Sequence, residues 1–249
     1  EAAALEDALR QIGAAIERAI FVSVADDAVN QTLAKTLSGL AGEHWRRFVS
    51  TRQVAELRND YAQVAQLGAD RLAAALGAWR RVERSCLVVN CGTATTIDLV
   101  ERLIPASGAG QPSPGDCQTL RGGDSLRSQK NSADVAVPRA RFAGGVILPG
   151  LSLMKSALRR NTARLPDAAG RVVAVPDNTD DAIETGCLLA QVGAVEAMWR
   201  QFADPLPVLL AGGAAGQLRD ALQARGMGVV EAPELVLEGL AAAILQRFS

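Results

Sequence analysis

The residues best suited to chemistry stand in Val88-Val89-Asn90-Cys91-Gly92-Thr93-Ala94-Thr95-Thr96-Ile97-Asp98. An apolar β-branched run feeds into a Gly-Thr turn and leaves as a second run that ends in Asp98. A strand that stops at Gly92-Thr93 leaves backbone N–H groups and a hydroxyl at a tight bend. Such a nest of amides binds a phosphate oxygen without a charged side chain. A plain β-hairpin turn reads the same way, so the company of this motif decides its meaning. Other glycine turns stand at Gly144-Gly145 through Pro149-Gly150 and at Gly212-Gly213, and Gly68-Ala69-Asp70-Arg71 opens an expected helix.

The elements that must position these turns alternate in type. Leu5, Leu9, Ile12 and Ile16 recur at helical spacing, so the chain opens without a Met inside an expected helix, which suggests a truncated start. Strands are expected over Ala19–Ala25 and Trp45–Ser50, and helices over residues 27–42 and Gln66–Ala78. Two strands follow around Gly92-Thr93. Residues 101–141, rich in Gly, Ser, Pro, Asp and Arg, read as a long loop or insertion whose arginines keep it solvated. A strand closed by Pro149-Gly150, a helix over Leu151–Arg160 and a short strand at Val172–Val175 come next. Asn178-Thr179-Asp180-Asp181 has the look of a helix start, with Asn or Thr as cap and acids in the first turn. Strands at Val208–Ala211 and Gly228–Glu231, each followed by a helix, complete the chain. The pattern argues α/β, with part of the sheet parallel and any ligand at the strand ends.

Composition excludes several classes. Of 249 residues, 26 are Lys or Arg and 27 are Asp or Glu, so no strong basic field exists to attract nucleic acid. No apolar run has the length of a membrane span. Cys86, Cys91, Cys117 and Cys187 form no CxxC pair, and the chain has 1 histidine, which argues against a zinc site and for reduced thiols in a cytoplasmic protein. That histidine, His44, sits in a polar stretch and reads as a surface residue.

Four segments taken in order carry a resemblance. They are Tyr61 through Leu67-Gly68-Ala69-Asp70-Arg71, Cys91-Gly92-Thr93-Ala94-Thr95-Thr96-Ile97-Asp98, Gly144-Gly145-Val146-Ile147-Leu148-Pro149-Gly150, and Ala157 through Asn161-Thr162-Ala163-Arg164-Leu165-Pro166. Together with Thr179 through Gly186 and Leu235 through Leu240, they resemble the type III pantothenate kinases, the family that includes the Bvg accessory factors. The resemblance implies an actin-like ATPase (ribonuclease H-like) fold: two similar α/β halves, residues 1–90 and 91–249, around a nucleotide cleft, with the insertion at about 101–141 in the second. It implies a homodimer, which the small residues of the expected helix over 180–198 would suit. It also implies transfer of the γ-phosphoryl group of ATP, with a divalent cation, to the hydroxyl of pantothenate, the first step of coenzyme A synthesis.

By the same resemblance Asp70 is the proton acceptor, and Tyr61, Gly68, Ala69, Arg71 and Thr179 contact pantothenate. Gly92 and Thr93 hold ATP, and Gly212-Gly213 lies near the adenosine. Each residue has a plainer reading: Asp70 as a first-turn acid, Arg71 as a surface salt bridge, Tyr61 as a packing residue, Thr179 as a cap. The chain departs from the family in three ways. No Asp-x-Gly-Asn phosphate loop precedes Ala19, which predicts impaired catalysis for the chain as it stands. Asn90 replaces the usual Asp of a monovalent-cation site, which puts a potassium requirement in doubt. Val64 stands where relatives have Pro. The competing reading is a regulatory or scaffolding protein that keeps the fold without catalysis. Another actin-like sugar or acid kinase fits Gly68–Arg71 and Gly144–Gly150 less well.

Overall fold

The computed structural model describes Asp7 and residues 16–103, 137–161 and 170–247. A small parallel sheet comes first, with β1 (Ala19–Phe21) beside β2 (Trp45–Arg47). The two are joined by α1 (Asp27–Ala41), which starts where the Asp26 carboxylate accepts the Val29 amide at 3.0 Å. That bond satisfies one of the donors a helix N-terminus leaves open. Gly42 ends the helix at φ +59°.

A seven-stranded mixed sheet follows, in the order β3 (Gln53–Val54), β4 (Leu57–Asn59), β7 (Ala140–Pro149), β6 (Ala94–Arg102), β5 (Cys86–Cys91), β8 (Val208–Ala211), β9 (Val229–Glu231). Strands β5, β8 and β9 are parallel, while β6 runs antiparallel to both β5 and β7. The helices are α2 (Ala69–Val82), α3 (Leu151–Asn161), α4 (Thr179–Trp199), α5 (Ala215–Gln223) and α6 (Leu235–Arg247).

Two apolar clusters divide the strands by alternation, as a pleated sheet covered on both sides requires. Val88, Val100 and Leu209 face α2 and α6, whereas Val89, Ile97 and Leu210 face α4 and α5. The α2–α6 contact is unusually close. A Cβ on Gly239 would lie 1.9 Å from the Ala73 carbonyl oxygen, and one on Gly77 2.2 Å from that of Leu235. Only glycine permits that approach.

Most expected elements are present with shifted ends. The helix read over Gln66–Ala78 begins at Ala69 and runs to Val82, because Val64–Gln66 forms a separate 3₁₀ turn. The strand read as starting at Gly144 starts at Ala140, so the irregular stretch read over 101–141 gives up both of its ends to β6 and β7. Val172–Val175 is not a strand: the segment is exposed or half-buried, and its backbone serves the side chains of α4 instead. The β3–β4 hairpin was not expected. His44 is exposed, as read. Cys86, Cys91 and Cys187 are free and buried, and Cys117 lies outside the described residues. So does the expected opening helix apart from Asp7 and Ile16, as do the core of the insertion and Thr162 through Pro166.

Candidate active site

Gly68 caps α2 in an extended conformation, and Asp70 sits in the first turn, half-buried. Its Oδ1 accepts the Arg71 amide at 2.9 Å. One residue on, the chain does something costly: Arg71 is 6% exposed. A guanidinium leaves water only when its donors are met. Its Nε lies 3.1 and 3.2 Å from the two oxygens of Asp98, its Nη2 also donates to Asp98, and its Nη1 donates to the Tyr61 hydroxyl at 3.2 Å. The same cation stands 5.7 Å from the Tyr61 ring and 5.6 Å from the Phe142 ring, within cation–π range.

Asp98 projects from the middle of β6 and is 1% exposed. The register pairs it with Gly145 of β7, and a Cβ there would fall 2.3 Å from Asp98 Oδ1. Gly145 therefore hollows the recess that the carboxylate occupies. Burial is the largest influence on Asp98 and raises its proton affinity; the bonds from Arg71 pull it down. For Arg71, burial works against the charge, but Asp98 and Tyr61 outweigh it and hold the proton more firmly than usual. A guanidinium does not deprotonate in proteins, so the two residues stand as a buried ion pair. Removing one member of such a pair costs about 3–5 kcal/mol, because the other charge stays behind.

Tyr61 is held from its backbone. The fully buried Asn59 accepts the Tyr61 amide at 3.0 Å and donates to the Thr51 carbonyl at 3.2 Å. Arg52 donates to the carbonyls of Asn59 and Tyr61 at 2.9 and 3.1 Å. The Tyr61 and Phe142 rings meet edge to face at 5.8 Å. Beside the entry of α2, a cavity of about 430 Å³ is lined by Ser23, Arg47, Ser50, Leu67, Gly68 and Ala69 among others.

Along β6, Ala94 lies four residues before Asp98, roughly 13 Å away at strand rise. There the glycine turns converge. The Gly150 amide donates to the Thr93 carbonyl at 2.9 Å, and a Cβ on Gly150 would lie 2.1 Å from the Gly92 carbonyl oxygen. Gly212, at φ +91°, packs on Cys91 and on the Asn90 side chain, and the Ala214 amide donates to the Cys91 carbonyl at 3.1 Å. Thr93 is exposed at this end. The amides of Gly92, Gly150 and Ala214 donate to the carbonyls of Ala94, Thr93 and Cys91, so the turns hold one another, and the exposed Thr93 hydroxyl is the donor this end offers an anionic ligand.

The structure thus joins Tyr61, Asp70 and Arg71, and it gathers Gly92, Thr93 and Gly212 at the neighbouring strand end. Thr179 belongs to neither group. It is the exposed first residue of α4, a helix packed on the sheet face opposite α2. The cap of α4 is Asn178, whose side chain accepts the Asp181 amide at 2.9 Å. Arg71 is buried, so its plainer reading as a surface pair is replaced by a buried one. Asp98, Gly145, Phe142 and Asn59 were not singled out as site residues. For Asp98 a signal existed: an acid inside the apolar run Ile97-Asp98-Leu99 must have a partner. Among the described residues, no three His, Cys, Asp or Glu side chains come together to hold a metal ion, and no helix is long and apolar enough to cross a membrane.

Comparison with known proteins gives the family. The family model described as type III pantothenate kinase matches residues 1–105 and 133–201, which include both Gly68–Arg71 and Gly92–Thr93. A type III pantothenate kinase of Aromatoleum aromaticum is 39% identical over 230 residues, covering 91% of this chain and 78% of that protein. One from a Janthinobacterium species is 35% identical over 260 residues, covering 99% of this chain and 84% of its own length. Among solved structures, a Baf family protein from Campylobacter jejuni superposes with a TM-score of 0.54 at 16% identity, over 96% of this chain and 88% of that one. It supports the α/β fold alone. Sequence match, motif positions and fold converge: the chain belongs to the type III pantothenate kinase family.

Proposed function

We propose that this chain transfers the γ-phosphoryl group of ATP to the hydroxyl of pantothenate, opening coenzyme A synthesis. The observation that carries the reading is Asp70, half-exposed at the start of α2, beside the buried Arg71–Asp98 pair and the Tyr61 hydroxyl. Phosphoryl transfer asks for positioning, charge neutralisation and an acceptor for the hydroxyl proton. Asp70 accepts that proton as the new oxygen–phosphorus bond forms and the bond from the γ-phosphorus to the β,γ-bridging oxygen breaks. Gly68 and Ala69 let the substrate approach the backbone, and Tyr61 and Arg71 hydrogen-bond it. Gly92, Thr93 and the Gly150 and Gly212 turns receive the ATP phosphates. A divalent cation would be carried chiefly by those phosphates and would neutralise part of their charge.

Around this chemistry the reading has further parts. The protein acts in the cytoplasm as a homodimer; a boundary near residue 90 would cut β5 (Cys86–Cys91) inside the seven-stranded sheet, so that division into halves is set aside. Thr179 stands across the sheet from Asp70, so its contact with pantothenate would come from a second copy. Asn90 offers a neutral oxygen where relatives have a carboxylate, so monovalent cations matter little.

The test is ADP release with ATP and pantothenate together against ATP alone, with the phosphorylated product identified by mass. ADP release that depends on pantothenate supports the reading. Pantothenate binding without ADP release, in a protein that carries the Asp-x-Gly-Asn phosphate loop, would instead favour a protein that keeps the fold for regulation.

A further inference from the structure

We propose that Asp98 is a positioning residue of the substrate site, acting through Arg71 on Tyr61. The inference rests on the reading of Tyr61 and Arg71 as pantothenate contacts.

Arg71 carries five N–H donors in a fixed fork. Asp98 takes the Nε edge and one donor of Nη2, deep between α2 and β6. That leaves the Nη1 edge for Tyr61, at the half-buried side. Because the phenol oxygen accepts from Nη1, the hydroxyl proton of Tyr61 is turned away from Arg71 and is free to be donated. Polarisation by the cation strengthens that donor. Asp98 thus selects which edge of Arg71 faces outward and sets the direction of the Tyr61 O–H.

Two further observations fit a built device. A Cβ on Gly145 would lie 2.3 Å both from Asp98 Oδ1 and from the Ile97 carbonyl oxygen, so glycine at this position serves the close approach of β7 to β6 and the carboxylate together. The Tyr61 and Phe142 rings, in edge contact with each other, also stand 5.7 and 5.6 Å from the guanidinium, within cation–π range, and add to the contacts that hold it. The bond from Nη1 to the Tyr61 hydroxyl at 3.2 Å ties the pair to a side chain at the half-buried side of the site, beyond the join of α2 to the sheet.

The chain contains 1 tyrosine, so tyrosine labelled with ¹³C at Cζ gives a single resonance that reports on Tyr61 alone. In the ligand-free protein, Asp98→Asn should displace that resonance while circular dichroism remains native. Asp98→Glu keeps the charge but lengthens the arm, and it should displace the resonance as well. A folded variant with an unmoved resonance overturns the proposal. Pantothenate alone is then titrated. Asp98→Asn should weaken binding by roughly ten- to a hundredfold, the size of one charge-assisted hydrogen bond. The double variant Arg71→Met with Asp98→Asn should bind no worse than Arg71→Met, since the two act as a unit. Additive losses overturn the proposal. If pantothenate leaves the resonance of the unaltered chain in place, the substrate reading fails, while the ligand-free comparison still decides the role of Asp98.

Discussion

Replacing Gly239 by alanine puts a methyl carbon 1.9 Å from the Ala73 carbonyl oxygen and 3.1 Å from the Gly77 amide nitrogen. Ordinary contact begins near 3.4 Å, so α6 must retreat from α2 by roughly 1.5 Å in an interior packed as densely as a crystal. The obstacles are backbone atoms, and no change of rotamer relieves them. Overpacking of this kind costs about 1–3 kcal/mol, and the backbone clash places this case at the upper end. Better helix propensity returns up to about 1 kcal/mol. The net loss is about 2 kcal/mol, which for a chain of this length lowers Tm by roughly 4–8 °C. Thermal unfolding followed by circular dichroism measures it directly. Gly186→Ala is the control: it lies within α4 with nothing within 4 Å of a new Cβ, so it should leave Tm unchanged or raise it. A Gly239→Ala protein that melts within about 1 °C of the parent would refute the argument that this crossing needs glycine. Because α2 carries Asp70 and Arg71, the same variant should raise the KM for pantothenate.

Other outcomes follow from the site. In a protein that carries the Asp-x-Gly-Asn phosphate loop, Asp70→Asn keeps the shape but cannot take up a proton, so turnover should fall by about 10²- to 10⁴-fold while pantothenate affinity changes little; near-normal turnover would make Asp70 a plain first-turn acid. Potassium at constant ionic strength should stimulate turnover little, since Asn90 supplies a neutral oxygen and hard cations prefer carboxylates; strong stimulation would show that a site survives the substitution. Light scattering at micromolar concentration should give the mass of a dimer, and a monomer would remove the second copy from the account of Thr179.

How far the chain could be read from its sequence depends on the distance over which each signal acts. The β5–β6 pair was legible because two β-branched runs flank a single Gly-Thr turn, and the start of α4 was legible because its cue is local, although the sequence left the cap open between Asn178 and Thr179 and the structure gives it to Asn178. The β3–β4 hairpin escaped because its strands are two and three residues long, and its turn places Ala55 at φ +53°, a conformation usually signalled by glycine or asparagine. Val172–Val175 had the composition of a strand but no neighbour to pair with. Arg71 was noticed by motif alone. Its partner lies 27 positions away, and nothing local states that the helix start and mid-strand β6 meet.

The join between β6 and β7 bears on how the chain tolerates change in length. These strands pair from Ala94↔Pro149 down to Arg102↔Ala140, and the Leu103 amide still reaches the Arg139 carbonyl at 2.8 Å. The ladder itself holds residues 103 and 139 side by side, so the pairing that sets Asp98 opposite Gly145 is complete among the described residues. For a flexible span between two such ends, the entropy of closure grows only with the logarithm of its length, about 0.6 kcal/mol for each doubling. For an engineer, this is the place to insert a reporter or a tag. For evolution, it is where a kinase of this family can acquire new sequence without disturbing the first turn of α2 or the β6–β7 register.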